Sequence, residues 1–218
     1  MIKYHPSDAL LQAHVAGELP LSMSIAVSAH CEMCQVCQDK VHKMNAAFAQ
    51  ETLEAEACTE TDLCEFNFDG MLEEIMSKPT APQEVTPDAM VEVNGEQYKL
   101  PKAFRHQLQD SWSGIGKVNR MRFDTAENKA RASLLHIGAG GEIPAHTHKG
   151  QEITLLLSGD FCDEYNEYHP GDFIVMSSEH EHSPRTHSGC LCYTVVDAPL
   201  YFTKGISKLL NPIGELIY

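Results

Sequence analysis

His30, Cys34 and Cys37 stand in an H-x3-C-x2-C arrangement. On a helix, positions four apart share a face, so His30 and Cys34 reach one point, and Cys37 can close on it from across a turn. An imidazole and two thiolates are three of the four donors that zinc takes in a tetrahedral structural site. The fourth must come from elsewhere. His5, ahead of the first helix and free to fold back, is the choice, with His14 and Cys31 as alternatives. Cys31, Cys34 and Cys37 can also be read as part of an iron–sulfur run without its fourth cysteine, as a redox CxxC, or as buried thiols that hold no ion.

A second pattern lies further on: Gly140-x5-His146-x-His148-x3-Glu152-x6-Gly159. Residues two apart on a strand point the same way, so His146 and His148 converge. Glu152, just past the Lys149-Gly150 turn, opens the next strand and adds an oxygen. A fourth donor should follow the Pro170-Gly171-Asp172 turn, from His180, His182 or His187, and His182 is best placed. Three imidazoles and a carboxylate suit zinc, iron, manganese or nickel. The plainer alternative is a set of solvated histidines.

The elements that must position these groups differ between the two ends of the chain. Ser7 and Asp8 can cap a helix that runs through Val15 and stops near Gly17. Pro20 suits the start of the next helix. Residues 21–56 hold neither Pro nor Gly and favour helix, with one break expected at 31–35 to give two helices. A fourth helix is expected at 69–78, capped by Asp69, with Leu72, Ile75 and Met76 on one face. Before it lies an acidic loop with Cys58, Cys64, Phe66 and Phe68.

The pattern then changes. Three prolines within residues 79–88 make a semi-extended connection. Short apolar runs follow at 90–93, 119–124, 132–137, 152–158, 172–176 and 191–196, separated by Gly and Pro turns, as in a sandwich or barrel. A short helix and a closing strand are expected at 204–218. The fold class is α+β multidomain: a helical bundle over 1–80, a linker at 81–89 and a β-barrel over 90–218.

Composition bounds the function. The chain has 218 residues, 43% of them hydrophobic, and a net charge of −15. No eighteen-residue apolar run exists, and the first eight residues do not read as a signal peptide, so a cytoplasmic protein is expected. In a reducing compartment, clustered cysteines bind metal or do redox chemistry more often than they form disulfides. An acidic chain repels phosphates, which argues against direct nucleic-acid binding. Residues 1–80 carry thirteen acids against four bases, whereas 99–131 carry eight bases against three acids. The acidic end suits a basic protein partner; solubility is the simpler reading.

Residues 140–159 match the first cupin motif. The second is partial: Pro170-Gly171 and His182 fit, but the usual asparagine after the histidine is absent. The H-x3-C-x2-C with an upstream histidine resembles the zinc-binding anti-sigma domain, and the two in this order resemble the ChrR-type anti-sigma factors over almost the whole chain. The resemblance implies that the helical domain binds an extracytoplasmic-function sigma factor and blocks its access to core RNA polymerase. It implies a cupin domain that senses singlet oxygen or organic peroxides, without being an enzyme. It places a structural zinc on His5, His30, Cys34 and Cys37, and a cupin metal, zinc or another divalent ion, on His146, His148, Glu152 and His182. Cys190 and Cys192 resemble a thiol pair in relatives; as residues i and i+2 they can equally be core thiols. The rival reading is an oxygenase-like cupin metalloenzyme with a helical appendage.

Overall fold

The computed structural model describes residues 1–54, 67–79, 87–108, 111–198 and 200–203. Cys58, Cys64 and Phe66, most of the expected linker, and the expected helix and strand at 204–218 lie outside these residues.

Four helices come first: α1 Asp8–Val15, α2 Leu21–Met33, α3 Gln35–Glu54 and α4 Phe68–Ser77. The Ser7 side chain caps α1 by accepting from the Leu10 amide, and Gly17 ends it with φ +72, where glycine avoids the Cβ penalty. The break between α2 and α3 falls at Cys34, whose backbone is extended. Helix α4 starts one residue earlier than expected. Its cap is Asn67, which accepts from the Gly70 amide, and Asp69 falls within the first turn.

Twelve strands follow among the described residues. β1 Ala89–Val93 and β2 Glu96–Leu100 form a hairpin. Its Asn94-Gly95 turn has both φ values positive, the geometry that matches strand twist. The main sheet has six antiparallel strands in the order β10-β7-β11-β5-β4-β3. They are β3 Ser113–Ile115, β4 Val118–Phe123, β5 Arg131–Ile137, β7 Glu152–Gly159, β10 Phe173–Met176 and β11 Cys190–Val196. Two short ladders face it: β6 His146–His148 with β12 Leu200–Phe202, and β8 Phe161–Cys162 with β9 Glu167–Tyr168. The fold is cupin-like, but the described strands do not close into one continuous barrel. Single bridges such as His146↔His182 and Cys162↔Arg185 stand where longer ladders would complete it.

Strands β5, β7 and β11 are buried on both faces, which is why they read as near-continuous apolar runs. On one face Leu156, Ile174, Met176, Cys190 and Cys192 pack with Phe161 and Tyr168 of the small ladder. On the other, Leu134, Leu155, Phe173 and Tyr193 share a single core with Leu11, Ile25, Val27, Cys34 and Cys37 of the helices. Helix α2 is therefore buried over most of its surface, and the ligand-bearing segment of the helices rests directly on the sheet.

Candidate metal centres

In the first cluster, one ligand atom from each of His5, His30, Cys34 and Cys37 lies within 4.8 Å of the others. His30 sits in the last turn of α2, Cys34 at the break and Cys37 in the first turn of α3. The break brings the three together: a continued helix would keep them on one face but set Cys37 ~10.5 Å along the axis from His30, too far for one ion. His5 Nδ1 lies 3.5 Å from Cys34 Sγ and 3.4 Å from Cys37 Sγ. His14 and Cys31 are not in the group. His14 Nε2 faces Ser28 Oγ at 3.5 Å, and Cys31 is half-buried beside the cluster.

His30 is fully buried, and its Nδ1 donates to the carbonyl of Gly171 at 2.8 Å. This leaves Nε2 with a free lone pair, buried and without a hydrogen-bond partner. Burial holds the His30 imidazole down at about 4, so it stays neutral and available as a donor. Burial, with the neighbouring Cys34 thiol, pushes Cys37 up to about 12. Two adjacent buried thiolates are stable only beside a cation, and the first turn of α3 adds the favourable end of a helix dipole. The donor set and the orphaned Nε2 both fit a tetrahedral zinc ion.

The second cluster joins His146 and His148 of β6, Glu152 at the start of β7, and His182, which bridges β6 through paired backbone hydrogen bonds to His146. The Nε2 atoms of His182 and His146 are 3.0 Å apart, and those of His148 and His182 3.1 Å. Glu152 Oε2 lies 2.6 Å from His148 Nε2 yet has no partner in hydrogen-bond geometry. The outer nitrogens explain this convergence. His146 Nδ1 donates to the Pro144 carbonyl at 2.9 Å, which turns its Nε2 lone pair inward. His182 Nδ1 faces the Asp163 carboxylate at 3.5 Å, which does the same for its ring. Lone pairs and a carboxylate turned toward one buried point repel each other unless a cation sits between them.

The charges agree with the geometry. Burial, reinforced by His182, lowers His146 to about 4. Burial would raise Glu152, but the close approach of His148, with His146 and His182 beside it, outweighs this, so its carboxyl stays below the usual range. His180 and His187 lie apart: His180 Nδ1 pairs with Ser177, and His187 is exposed near Asp160.

Asp163 escapes the spacing argument. Its side chain is fully buried and accepts from the backbone amides of Tyr165 and Asn166, both at 2.9 Å. The D-x2-N turn is a local signal for such a bend, but its closeness to His182 depends on the fold. Cys190 and Cys192 are buried on the interior face. The neighbouring Cys190 and burial push Cys192 well above the ordinary thiol range.

The family model described as the ChrR cupin-like domain matches residues 109–198. The anti-sigma-E factor ChrR of Cereibacter sphaeroides is 31% identical over 221 residues, covering 99% of each chain. A chain in the crystal structure of Rhodobacter sphaeroides SigE in complex with the anti-sigma ChrR superposes with a TM-score of 0.65 at 29% identity, covering 90% of this chain and 100% of that one. Among the described residues, no helix is long and apolar enough to cross a membrane.

Proposed function

Because the chain belongs to the ChrR family of anti-sigma factors, we propose that it is itself an anti-sigma factor. Its helical part binds an extracytoplasmic-function sigma factor and withholds it from core RNA polymerase. Its cupin part holds a metal and responds to singlet oxygen or peroxides. The protein works in the cytoplasm and catalyses no turnover.

The observation that carries the binding role is the apolar face of α4. Phe68, Met71, Leu72, Ile75 and Met76 fall at i, i+3, i+4, i+7 and i+8, and all five are more than half exposed. No residue of α4 is buried. A contiguous apolar helix face left in water marks a protein-binding surface. The surrounding acidic charge favours a basic partner. Zinc is the ion that best matches the two-sulfur, two-nitrogen helical cluster, where it would neutralise the thiolates and tie α2, α3 and the N-terminal segment together. Zinc or another divalent transition ion would occupy the cupin cluster. The burial of its four ligands, all at or below 9% exposure, supports a structural or sensing role over substrate turnover.

The test is co-expression of the full chain with the candidate sigma factor, followed by pull-down. Wild type should retain sigma. Leu72→Asp with Ile75→Asp, which leaves the core untouched, should lose at least tenfold in retained sigma, as should His30→Ala. Full retention by the α4 variant would remove that face from the interface, and full retention by His30→Ala would remove the metal from it.

A further inference from the structure

We propose that the Gly171-Asp172 turn of the cupin part is a clamp that positions both histidines of the helical metal cluster, so the metal affinity of that cluster is set partly by the sheet. The inference rests on the reading of the helical cluster as a metal site.

Both histidines reach the cluster through this turn. His30 Nδ1 donates to the Gly171 carbonyl at 2.8 Å, which fixes the ring's tautomer and aims Nε2 at the thiols. Such outer partners of ligating histidines set ring orientation and donor strength. His5 is held less directly. The Asp172 carboxylate, wholly buried, accepts from the backbone amides of Lys3 at 2.7 Å and Tyr4 at 3.1 Å through one oxygen. Its other oxygen accepts from the amide of His169 at 2.8 Å. The Phe173 amide donates to the Tyr4 carbonyl at 3.0 Å. Residues 3 and 4 are thus pinned immediately before His5, the only exposed member of its cluster.

The packing allows little slack. Gly171 has φ +95, and a Cβ there would collide with the side chain of Ile2. The N-terminal segment therefore lies directly on a turn that only glycine can form at that distance. The Phe173 ring closes against the His30 ring edge-on at 5.8 Å between centroids. A carboxylate making three charge-assisted bonds to backbone amides is a strong and directional anchor. Without it, the segment ahead of His5 would keep only the Phe173–Tyr4 backbone bond and the Ile2 contact, and ordering it would oppose metal binding.

The test uses the full chain loaded with cobalt(II). The thiolate-to-cobalt charge-transfer band reports the helical cluster alone, because the cupin cluster holds no sulfur ligand. Two variants are compared with wild type. Asp172→Asn places a donor where the His169 amide also donates. Lys3→Pro removes one amide donor at a residue whose side chain is exposed and leaves the buried carboxylate in place. In chelator competition, both variants should bind cobalt at the thiolate site about tenfold more weakly. Cobalt bound without the thiolate band, and the melting of the β part, should match wild type in Lys3→Pro. Unchanged thiolate-site affinity in Lys3→Pro, the decisive variant if Asp172→Asn fails to fold, would overturn the clamp while leaving the metal reading intact. Absence of the thiolate band in the wild type would overturn the metal reading and the clamp with it.

Discussion

Removing the Glu127 side chain should loosen the helices from the sheet. Helix α2 begins after Pro20, which supplies no side-chain cap. Its first turn is capped from a distance: Glu127, on the β4–β5 turn, accepts from the Ser22 amide at 2.8 Å and from the Ser22 hydroxyl at 2.7 Å. Ser22 is fully buried, and its carbonyl accepts from the buried Tyr193 hydroxyl at 3.0 Å. Glu127→Ala would leave a buried amide and a buried hydroxyl without partners. Hydrogen bonds to a charged group contribute about 1.5–3 kcal/mol each, and a carboxylate at a helix N-terminus adds ~0.3–1 kcal/mol. Glu127 is itself half-buried, so water recovers part of the loss. The net should be about 3 kcal/mol, or ~10 °C in Tm for a chain of this size. Glu127→Gln keeps one acceptor and should lose roughly half as much. Urea unfolding followed by far-ultraviolet circular dichroism, and by fluorescence of the single tryptophan, Trp112, which packs against the shared core, measures both. A loss under ~0.5 kcal/mol for Glu127→Ala, the ordinary range for a surface change, would refute the claim that this carboxylate anchors α2.

Two further outcomes follow from the cupin cluster and its surroundings. Asp163→Asn should weaken the cupin metal by about tenfold through His182 while leaving the thiolate site unchanged, and equal cupin-site affinity by chelator competition would deny Asp163 a positioning role. In the metal-free chain, His30 and His146 resist protonation down to about 4, whereas unfolded histidine takes its proton near 6.5. The unfolded state then binds more protons within that window, so stability is complete above pH 6.5 and falls as pH drops toward 4. The buried carboxylates Glu152 and Asp163 are held low and contribute loss only below their unfolded values, so comparing pH 7 with pH 5 isolates the histidines. A urea midpoint that stays constant between those two pH values in chelator-treated protein would contradict this.

Local spacing was enough to pair His30 with Cys34 and His146 with His148, because the geometry within each pair is short-range. His30 and Cys34 are one helical turn apart, and His146 and His148 are one strand repeat apart. The choice of His182 over His180 and His187 came from its distance past the Pro170-Gly171-Asp172 turn. What spacing could not reach are contacts across 70 to 170 residues of chain, such as Glu32 with the Lys102 and Ala103 amides, or Lys3 with Asp172. Asp172 read only as a landmark in a turn, although it is among the most buried charged residues of the described chain. The run at 90–93 marks β1, but its hairpin partner β2 has no such mark despite the Asn94-Gly95 turn signal, because β2, with Glu96, Gln97 and Lys99, is largely exposed and lacks an apolar run. The expectation of a closed barrel came from counting strands. Closure depends on ladders between distant segments, and here several of these reduce to single bridges.

The position of β10 explains why the two clusters share one framework. β10 is an edge strand of the main sheet, and an edge presents unpaired backbone groups that need cover. The cover is the N-terminal segment: the Phe173 amide pairs with the Tyr4 carbonyl, and the next residue is His5. At its other end, Met176 pairs with Glu152, a member of the cupin cluster. Four strand residues, ~13 Å at 3.3 Å each, therefore separate a side chain of one cluster from the turn that holds both histidines of the other. A packed strand transmits a shift at one end to the other because its hydrogen-bonded neighbours leave it few intermediate positions. Loss of the Glu152 partner would therefore reach the N-terminal segment at Asp172, whose carboxylate is bonded to the Lys3 and Tyr4 amides, whereas the first turn of α2 is tied to the sheet away from β10, at Ser22 by Glu127 and Tyr193.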